Sequence, residues 1–209
     1  DKVKDLCIRK FKFERTNVQK LVREDYKYLP TRTKYFEEDM ETNQAKLVIG
    51  LRTGVDYMDY ERYYSLMLAN SIFGGGPHSK LFNNVREKES ICYYASSNLE
   101  KTKGLMFISS GIDVENYDKA ICLIRKELED TRQGRISQLE LDNAKKSLIN
   151  SLKAMGDSIV SDVDFIYNQY ISGSKLTVED VIGYVEKVDI PMIIESMKDV
   201  KEDTIFFLK

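Results

Sequence analysis

Three glycines and a proline in succession, Gly74 to Pro77, constrain the fold of this 209-residue chain more than any other feature. Before them, apolar and aromatic side chains recur at helical spacing from Tyr57 to Phe73, which predicts an amphipathic helix. Glycine and proline end such a helix abruptly. A second, shorter helix with Ser79 as its cap is predicted to run to about Lys88. The break therefore lets two helices meet at a sharp angle.

Short β-branched and aromatic runs predict strands around these helices. Residues 33–39 and 45–53 are two such runs with the polar turn METNQ between them, so we expect an antiparallel hairpin. Residues 91–99 and 105–112 form a second pair around a turn, and residues 204–208 are a short apolar strand.

After Asp113 the apolar period changes to that of helices. Amphipathic helices are predicted at residues 117–128 and 141–152, and further helices at 160–171, 177–188 and 190–197. Ser137 with Glu140, and Thr177 with Asp180, match the capping-box pattern. Strands and helices in this order indicate an α+β fold, in which an antiparallel sheet is covered on one face by helices.

Length and composition favour one main domain. A 42% apolar content is enough for a sizeable core. Residues 1–30 are charged and poorly periodic, so we expect a lead-in from a preceding linker or domain, followed by a single α+β domain at residues 31–209. The first residue is Asp1 rather than a methionine, which suggests a fragment of a longer chain.

Charge and cysteine content exclude several classes of function. The 32 basic and 34 acidic residues are interspersed, so neither nucleic acid nor an anionic membrane is an expected partner. No apolar run reaches the roughly 18 residues of a membrane span, and no signal peptide opens the chain, so we expect a cytoplasmic protein. Cys7, Cys92 and Cys122 are odd in number and far apart, which is typical of reduced thiols.

Most of the chemically active residue types have a structural explanation. The glycine run lacks the G-K-[ST] ending of a phosphate loop and follows a helix rather than a strand. His78 is the single histidine and lies beside a proline, where a solvated turn residue is expected rather than a catalytic base. Carboxylates such as Glu127, Glu129 and Asp130 are expected on solvated helix faces. A glycoside-type carboxylate pair stays open, although the chain has no tryptophan to bind sugar.

Arg86 and Tyr93 stand apart from these residues. They lie on either side of a predicted tight turn, so both can project towards one end of the sheet. A guanidinium offers a fixed fork of donors to a carbonyl or carboxylate, and a phenol can donate to a developing oxyanion. The structural alternative places Arg86 in a surface ion pair with a neighbouring glutamate and Tyr93 in half-buried packing.

The stretch around these two residues resembles the second-half signature of the inverzincin peptidases, the relatives of pitrilysin, insulinase and mitochondrial processing peptidase. In that family a helix ends in glycines and is followed by S-x-L-F, then [VL]-R-E-K, then a tyrosine seven residues after the arginine. Here the matching segments are SKLF at Ser79–Phe82, VREK at Val85–Lys88, and Tyr93. A looser resemblance covers roughly residues 35–209.

The resemblance implies a fold and a role. The fold would be that of one half of a processing-peptidase-like (LuxS/MPP-like) metallohydrolase, in which two similar halves close on a peptide. The catalytic half of such enzymes carries zinc on H-x-x-E-H, a motif that one histidine cannot supply. This chain would therefore be the zinc-free C-terminal half, with no catalytic and no metal-binding residues of its own. Arg86 would orient the peptide, and Tyr93 would hydrogen-bond the scissile carbonyl or the tetrahedral intermediate.

The expected function is accordingly a contribution to a zinc-dependent metallopeptidase that hydrolyses peptides. The chain alone is predicted to be inactive and to bind no cofactor, with zinc in the missing catalytic half. Its expected partners are a peptide substrate and an N-terminal half or companion subunit with H-x-x-E-H, and the resemblance allows a dimer. One alternative is a non-catalytic scaffold or partner subunit of a peptidase-like complex. An independent binding module is a third, which requires the signature to be a coincidence of packing.

Overall fold

Alternating apolar side chains build the sheet of this protein, whose computed structural model describes residues 2–12 and 28–209. In the central strand, Ala45, Leu47, Ile49 and Leu51 are buried, whereas the residues between them are partly or fully exposed. The sheet in the described residues has the strand order β1-β5-β2-β4-β3. Its strands are β1 (Lys34–Glu38), β2 (Ala45–Arg52), β3 (Cys92–Glu100), β4 (Leu105–Ile112) and β5 (Lys201–Leu208).

The predicted hairpin of residues 33–39 and 45–53 is wrong. Strand β5 lies between β1 and β2, and β1 pairs with β5 in parallel, while the other pairs are antiparallel. The physical reason lies in the composition of the two strands. β5 buries Ile205 and Phe207 and therefore suits a position with neighbours on both sides, whereas β1 reads KYFEE and is fully exposed. Charged residues are tolerated on a sheet edge.

Helices cover the sheet face that carries Leu47, Ile49 and Leu51. The other face stays open, with Phe36 and Phe107 exposed on it. The predicted α+β architecture is therefore present, with one parallel pair at its edge. The helices are α1 (Lys2–Lys10), α2 (Tyr60–Phe73), a π-helix (Leu81–Lys88), α3 (Tyr117–Arg132), α4 (Gln138–Met155), α5 (Ile159–Ser172), α6 (Val178–Lys187) and α7 (Ile190–Met197), with a 3₁₀ turn (Val114–Asn116) before α3.

Local signals predicted the starts of α4, α6 and α7. Both capping boxes, Ser137 with Glu140 and Thr177 with Asp180, are formed, and Pro191 lies in the first turn of α7. In the predicted lead-in, α1 has no buried residue, and residues 13–27 lie outside the described part of the chain. The boundary at residue 30 stays a prediction.

The glycine break brings the end of α2 against the edge strand β3. The N–H of Ser97 donates to the carbonyl of Gly74 at 2.9 Å. A Cβ on Gly74 would lie 2.5 Å from Ser97 Oγ and 2.8 Å from Leu81 Cδ1. Gly74 has a φ of −152°, so glycine is needed there for close approach rather than for a left-handed backbone.

Candidate functional site

A short π-helix and a tight turn place Arg86 and Tyr93 at the same end of the sheet. The π-helix carries Arg86 and ends at Lys88, and β3 begins at Cys92. Between them Ser90 adopts a left-handed φ of 51°, and its N–H donates to the carbonyl of Arg86 at 3.1 Å. Both features are uncommon in proteins and cluster at functional sites. This segment is therefore the candidate site.

Two polar contacts hold the π-helix against α3 and α4. At its start, the buried Lys80 extends its Nζ to 2.8 Å from Glu140 Oε1. In its middle, Asn84 Nδ2 donates to Glu127 Oε2 at 2.9 Å. Glu127 is only 2% exposed, so its expected place on a solvated face is wrong. It is buried because α3 packs this side against the π-helix, where Asn84 satisfies the carboxylate.

The pKa of Glu140 lies below its ordinary value. Burial acts to raise it, but the hydrogen bonds from Lys80 and Ser137 stabilise the carboxylate more strongly. Glu140 Oε2 accepts from both the N–H and the hydroxyl of Ser137 at 2.7 Å. One carboxylate thus joins the start of α4 to the start of the π-helix.

Arg86 is partly exposed and only loosely held. Its guanidinium carbon lies 4.8 Å from the centre of the Phe82 ring, and Nη1 is 3.4 Å from Glu87 Oε1. The side chain of Arg86 is 39% exposed and that of Glu87 is 55% exposed. The ion pair of the structural alternative is therefore formed, but such an exposed pair is weak. Arg86 retains donors for a ligand.

A β-bulge exposes two successive tyrosines at the start of β3. Cys92 pairs with Ile112 and Tyr94 pairs with Gly111, so Tyr93 is an extra residue in the ladder. Tyr93 and Tyr94 are 59% and 39% exposed. Half-buried packing of Tyr93, the structural alternative, is therefore not what the structure shows. Strand alternation from the sequence could not reveal this bulge.

Tyr93 has one hydrogen-bond partner that the sequence did not indicate. Its hydroxyl donates to Asp113 Oδ1 at 3.2 Å. This hydrogen bond, followed by the negative charge of Asp113, raises the pKa of Tyr93. The shift favours the protonated phenol, whose hydroxyl donates to Asp113. Asp113 directly follows β4, the strand paired with β3, and this adjacency becomes visible only when the pairing is known.

Arg86 and Tyr93 have separate partners but the same neighbour. Cys92 precedes Tyr93 and is buried. Burial raises the pKa of the Cys92 thiol, whereas a hydrogen bond with Ser110 and the charge of Arg86 act in the opposite direction. The π-helix that carries Arg86 contacts β3 directly. The structure brings both predicted residues to one locality without a direct hydrogen bond between them.

A groove of about 370 Å³ adjoins this locality. Phe82, the ring beneath Arg86, forms part of its lining. The backbone of Ser97 is already used, because its N–H binds Gly74 and its carbonyl accepts from Asn70 Nδ2 at 3.4 Å. At Ser97 the edge of β3 is therefore occupied by the chain itself. The full lining is Gly74–Pro77, Phe82 and Ala95–Asn98.

The described residues do not fit a zinc ion. Within residues 2–12 and 28–209, no group of three His, Cys, Asp or Glu side chains could hold a metal. His78 is exposed in the turn after Pro77, as expected. A separate question is whether the chain could span a membrane. Among the residues that the structure describes, no helix has the length and hydropathy of a membrane span.

Comparisons with known proteins identify the family of this chain. A family model described as the peptidase M16 inactive domain matches residues 7–148. The probable inactive metalloprotease YmfF of Bacillus subtilis is 36% identical over 173 residues, which cover 83% of this chain and 40% of YmfF. The uncharacterized zinc protease YmxG of the same organism is 26% identical over 156 residues, which cover 73% of this chain and 38% of YmxG.

A solved structure shares the fold. The conserved protein from Enterococcus faecalis superimposes with a TM-score of 0.82 at 36% identity, over 87% of this chain and 43% of that protein. The chain therefore spans about two fifths of the length of the relatives that it matches.

Proposed function

This chain belongs to the peptidase M16 inactive-domain family, and from that premise we propose that it is the zinc-free C-terminal half of a zinc-dependent peptidase. In this proposal a catalytic half with H-x-x-E-H, located elsewhere in the polypeptide or in a companion subunit, hydrolyses the peptide. This chain binds the peptide and has no activity alone.

The single observation that carries the proposal is the exposure of Tyr93 by the bulge. A tyrosine that served only to pack would be covered, whereas 59% of Tyr93 is exposed and its hydroxyl is held by Asp113. The raised pKa keeps the proton on the phenol. In the proposed site, a peptide oxygen takes the place of Asp113 as the acceptor of the Tyr93 hydroxyl. A hydrogen bond of this kind stabilises a developing oxyanion.

Arg86 completes the proposed site as the residue that orients the peptide. Its stacking on Phe82 places the guanidinium beside the groove that Phe82 lines. The exposed pair with Glu87 contributes little stability, so a peptide carbonyl or carboxylate can compete for the guanidinium. A planar fork of donors suits either acceptor.

The open face of the sheet fits the wall of a substrate chamber. Phe36 and Phe107 are exposed on this face, and Tyr94 lies over Gly111, where a Cβ would approach the ring to 2.5 Å.

The proposal also retains the domain boundary at residue 31 and a cytoplasmic location. Free thiols at Cys7 and Cys122, both exposed, support a reducing compartment.

A non-catalytic scaffold or partner subunit is the second candidate function. Its specific support is the similarity to YmfF, a probable inactive metalloprotease. In that case Arg86 and Tyr93 would have no effect on peptide turnover, although the fold and its assembly would be retained.

Peptide-cleavage kinetics of the complete enzyme distinguish the two candidates. We expect Arg86→Ala and Tyr93→Phe each to lower kcat/KM by about ten- to a thousandfold, as for loss of an oxyanion-hole donor. Matched controls are Arg135→Ala, another exposed arginine in an ion pair, and Tyr35→Phe, an exposed phenol on the opposite edge strand β1. Unchanged kinetics in both site variants would favour the scaffold.

A further inference from the structure

Helix α5 presents an apolar surface to solvent. Seven large apolar side chains on it are between 54% and 84% exposed. Their spacing of three and four residues places them on one side of the helix. We call this set the α5 stripe, and it consists of Ile159, Val160, Val163, Ile166, Tyr167, Tyr170 and Ile171.

The opposite side of α5 holds the helix in the fold. Phe165 packs against the hydrophobic core, and Ser172 is buried. Ser161 and Gln169, which lie on the same side, are partly buried. Surface helices of soluble domains normally bury their apolar side. In α5 the apolar side faces solvent instead. Seven side chains, each more than half exposed, amount to more apolar surface than the ~300–600 Å² that a soluble monomer typically leaves bare.

We propose that the α5 stripe is the docking surface for the catalytic half of the complete peptidase. The inference rests on the proposed function, because it takes the existence of that half from it. The lengths of the relatives support this occupant. Only 40% of YmfF and 43% of the Enterococcus faecalis protein match this chain, so each carries a further portion longer than the matched one.

The acidic residues around the α5 stripe indicate what kind of surface would bind it. Asp157, Asp162 and Asp164 accompany the α5 stripe, and residues 154–174 contain no lysine or arginine. The matching surface is therefore apolar at its centre and rimmed with lysine or arginine. A second copy of this chain, docked through the same stripe, would bring two acidic surfaces together. Like charges in an interface disfavour that arrangement.

Thiol labelling in the complete enzyme tests the docking. Cys7 and Cys122 are exposed and are first changed to serine, whereas Cys92 is buried and stays. A single new cysteine replaces Ile166, and in a matched variant it replaces Leu139, which is 69% exposed on α4. We expect a maleimide-polyethylene glycol probe to react at least tenfold more slowly with I166C than with L139C. Equal rates would overturn the proposal.

Further outcomes identify a different occupant and also overturn the proposal. Protection of I166C in a particle that contains two copies of this chain and no catalytic half, shown by native mass spectrometry, indicates a homodimer. Protection that disappears when residues 1–12 are deleted indicates that α1 covers the stripe.

Reversal of the charge on the acidic rim tests the expected basic rim of the catalytic half. Asp162→Lys and Asp164→Lys should speed labelling of I166C at least tenfold, and an unchanged labelling rate would contradict a basic rim.

The labelling result is independent of the substrate-binding role. Arg86→Ala and Tyr93→Phe leave the α5 stripe unchanged, so I166C should stay protected in both variants. Unchanged turnover in those variants, together with protection of I166C, would refute the substrate role and keep the docking. Lost turnover with an unprotected I166C would refute the docking alone.

Discussion

Tyr93 and Asp113 are joined by a hydrogen bond of 3.2 Å between the ends of two paired strands. The phenol donates the hydrogen bond and the carboxylate of Asp113 accepts it. The bulge at Tyr93 makes this geometry possible, because it turns the side chain out of the regular ladder.

Removal of the charge on Asp113 should lower the pKa of Tyr93. Asp113→Asn replaces a charged hydrogen-bond acceptor with a weaker neutral one and removes the negative charge that disfavours tyrosinate, so the pKa falls towards its ordinary value of ~10. An NMR titration that follows the Tyr93 ring measures the change. Asp118→Asn is the matched control at an exposed aspartate on α3, and an equal fall in that variant would contradict the assignment.

Gly74→Ala should destabilise the fold. The new methyl group would meet Ser97 Oγ at 2.5 Å and the Ser97 backbone nitrogen at 2.8 Å, and overpacking of this kind costs about 1–3 kcal/mol. The free energy of unfolding in urea measures the cost. Gly76→Ala is the control, because a Cβ there meets nothing within 4 Å. A neutral Gly74→Ala would disprove the proposed reason for this glycine.

Glu127→Ala should also lower stability. The substitution leaves Asn84 Nδ2 without its acceptor and removes a carboxylate that is 2% exposed. Loss of a hydrogen bond to a charged group costs about 1.5–3 kcal/mol. Glu186→Ala, at an exposed glutamate on α6, should change the free energy of unfolding by less than about 0.5 kcal/mol. Similar losses in the two variants would refute the structural role of Glu127.

Acid should weaken the contact between α4 and the π-helix. The pKa of Glu140 is lower in the folded protein than in the unfolded chain, where it is near ~4.3. Its contribution to stability is therefore present above the unfolded pKa and is lost as the pH falls through the folded pKa. Unfolding free energies of the parent and Glu140→Gln, measured from pH 7 to acid, should converge as the pH falls. A constant difference would contradict this.

Local interactions made much of the fold predictable from the sequence. Ser137 with Glu140 and Thr177 with Asp180 satisfy helix N-termini within four residues, so their patterns are readable in the chain itself. Strand order depends on partners far apart in the sequence. The hairpin of residues 33–39 and 45–53 was therefore predicted wrongly, because β5 from the far end of the chain inserts between its strands.

The sequence by itself determined the helix starts, the break at Gly74, the spacing of Arg86 and Tyr93, and a histidine content of one. Only the tertiary structure decided the strand order, the bulge that exposes Tyr93, its hydrogen bond to Asp113 and the burial of Glu127. The physical reason is how far apart in the sequence the interacting residues lie. Caps and helix ends are satisfied by neighbours in the chain, whereas strand pairing and burial depend on residues that only folding brings together.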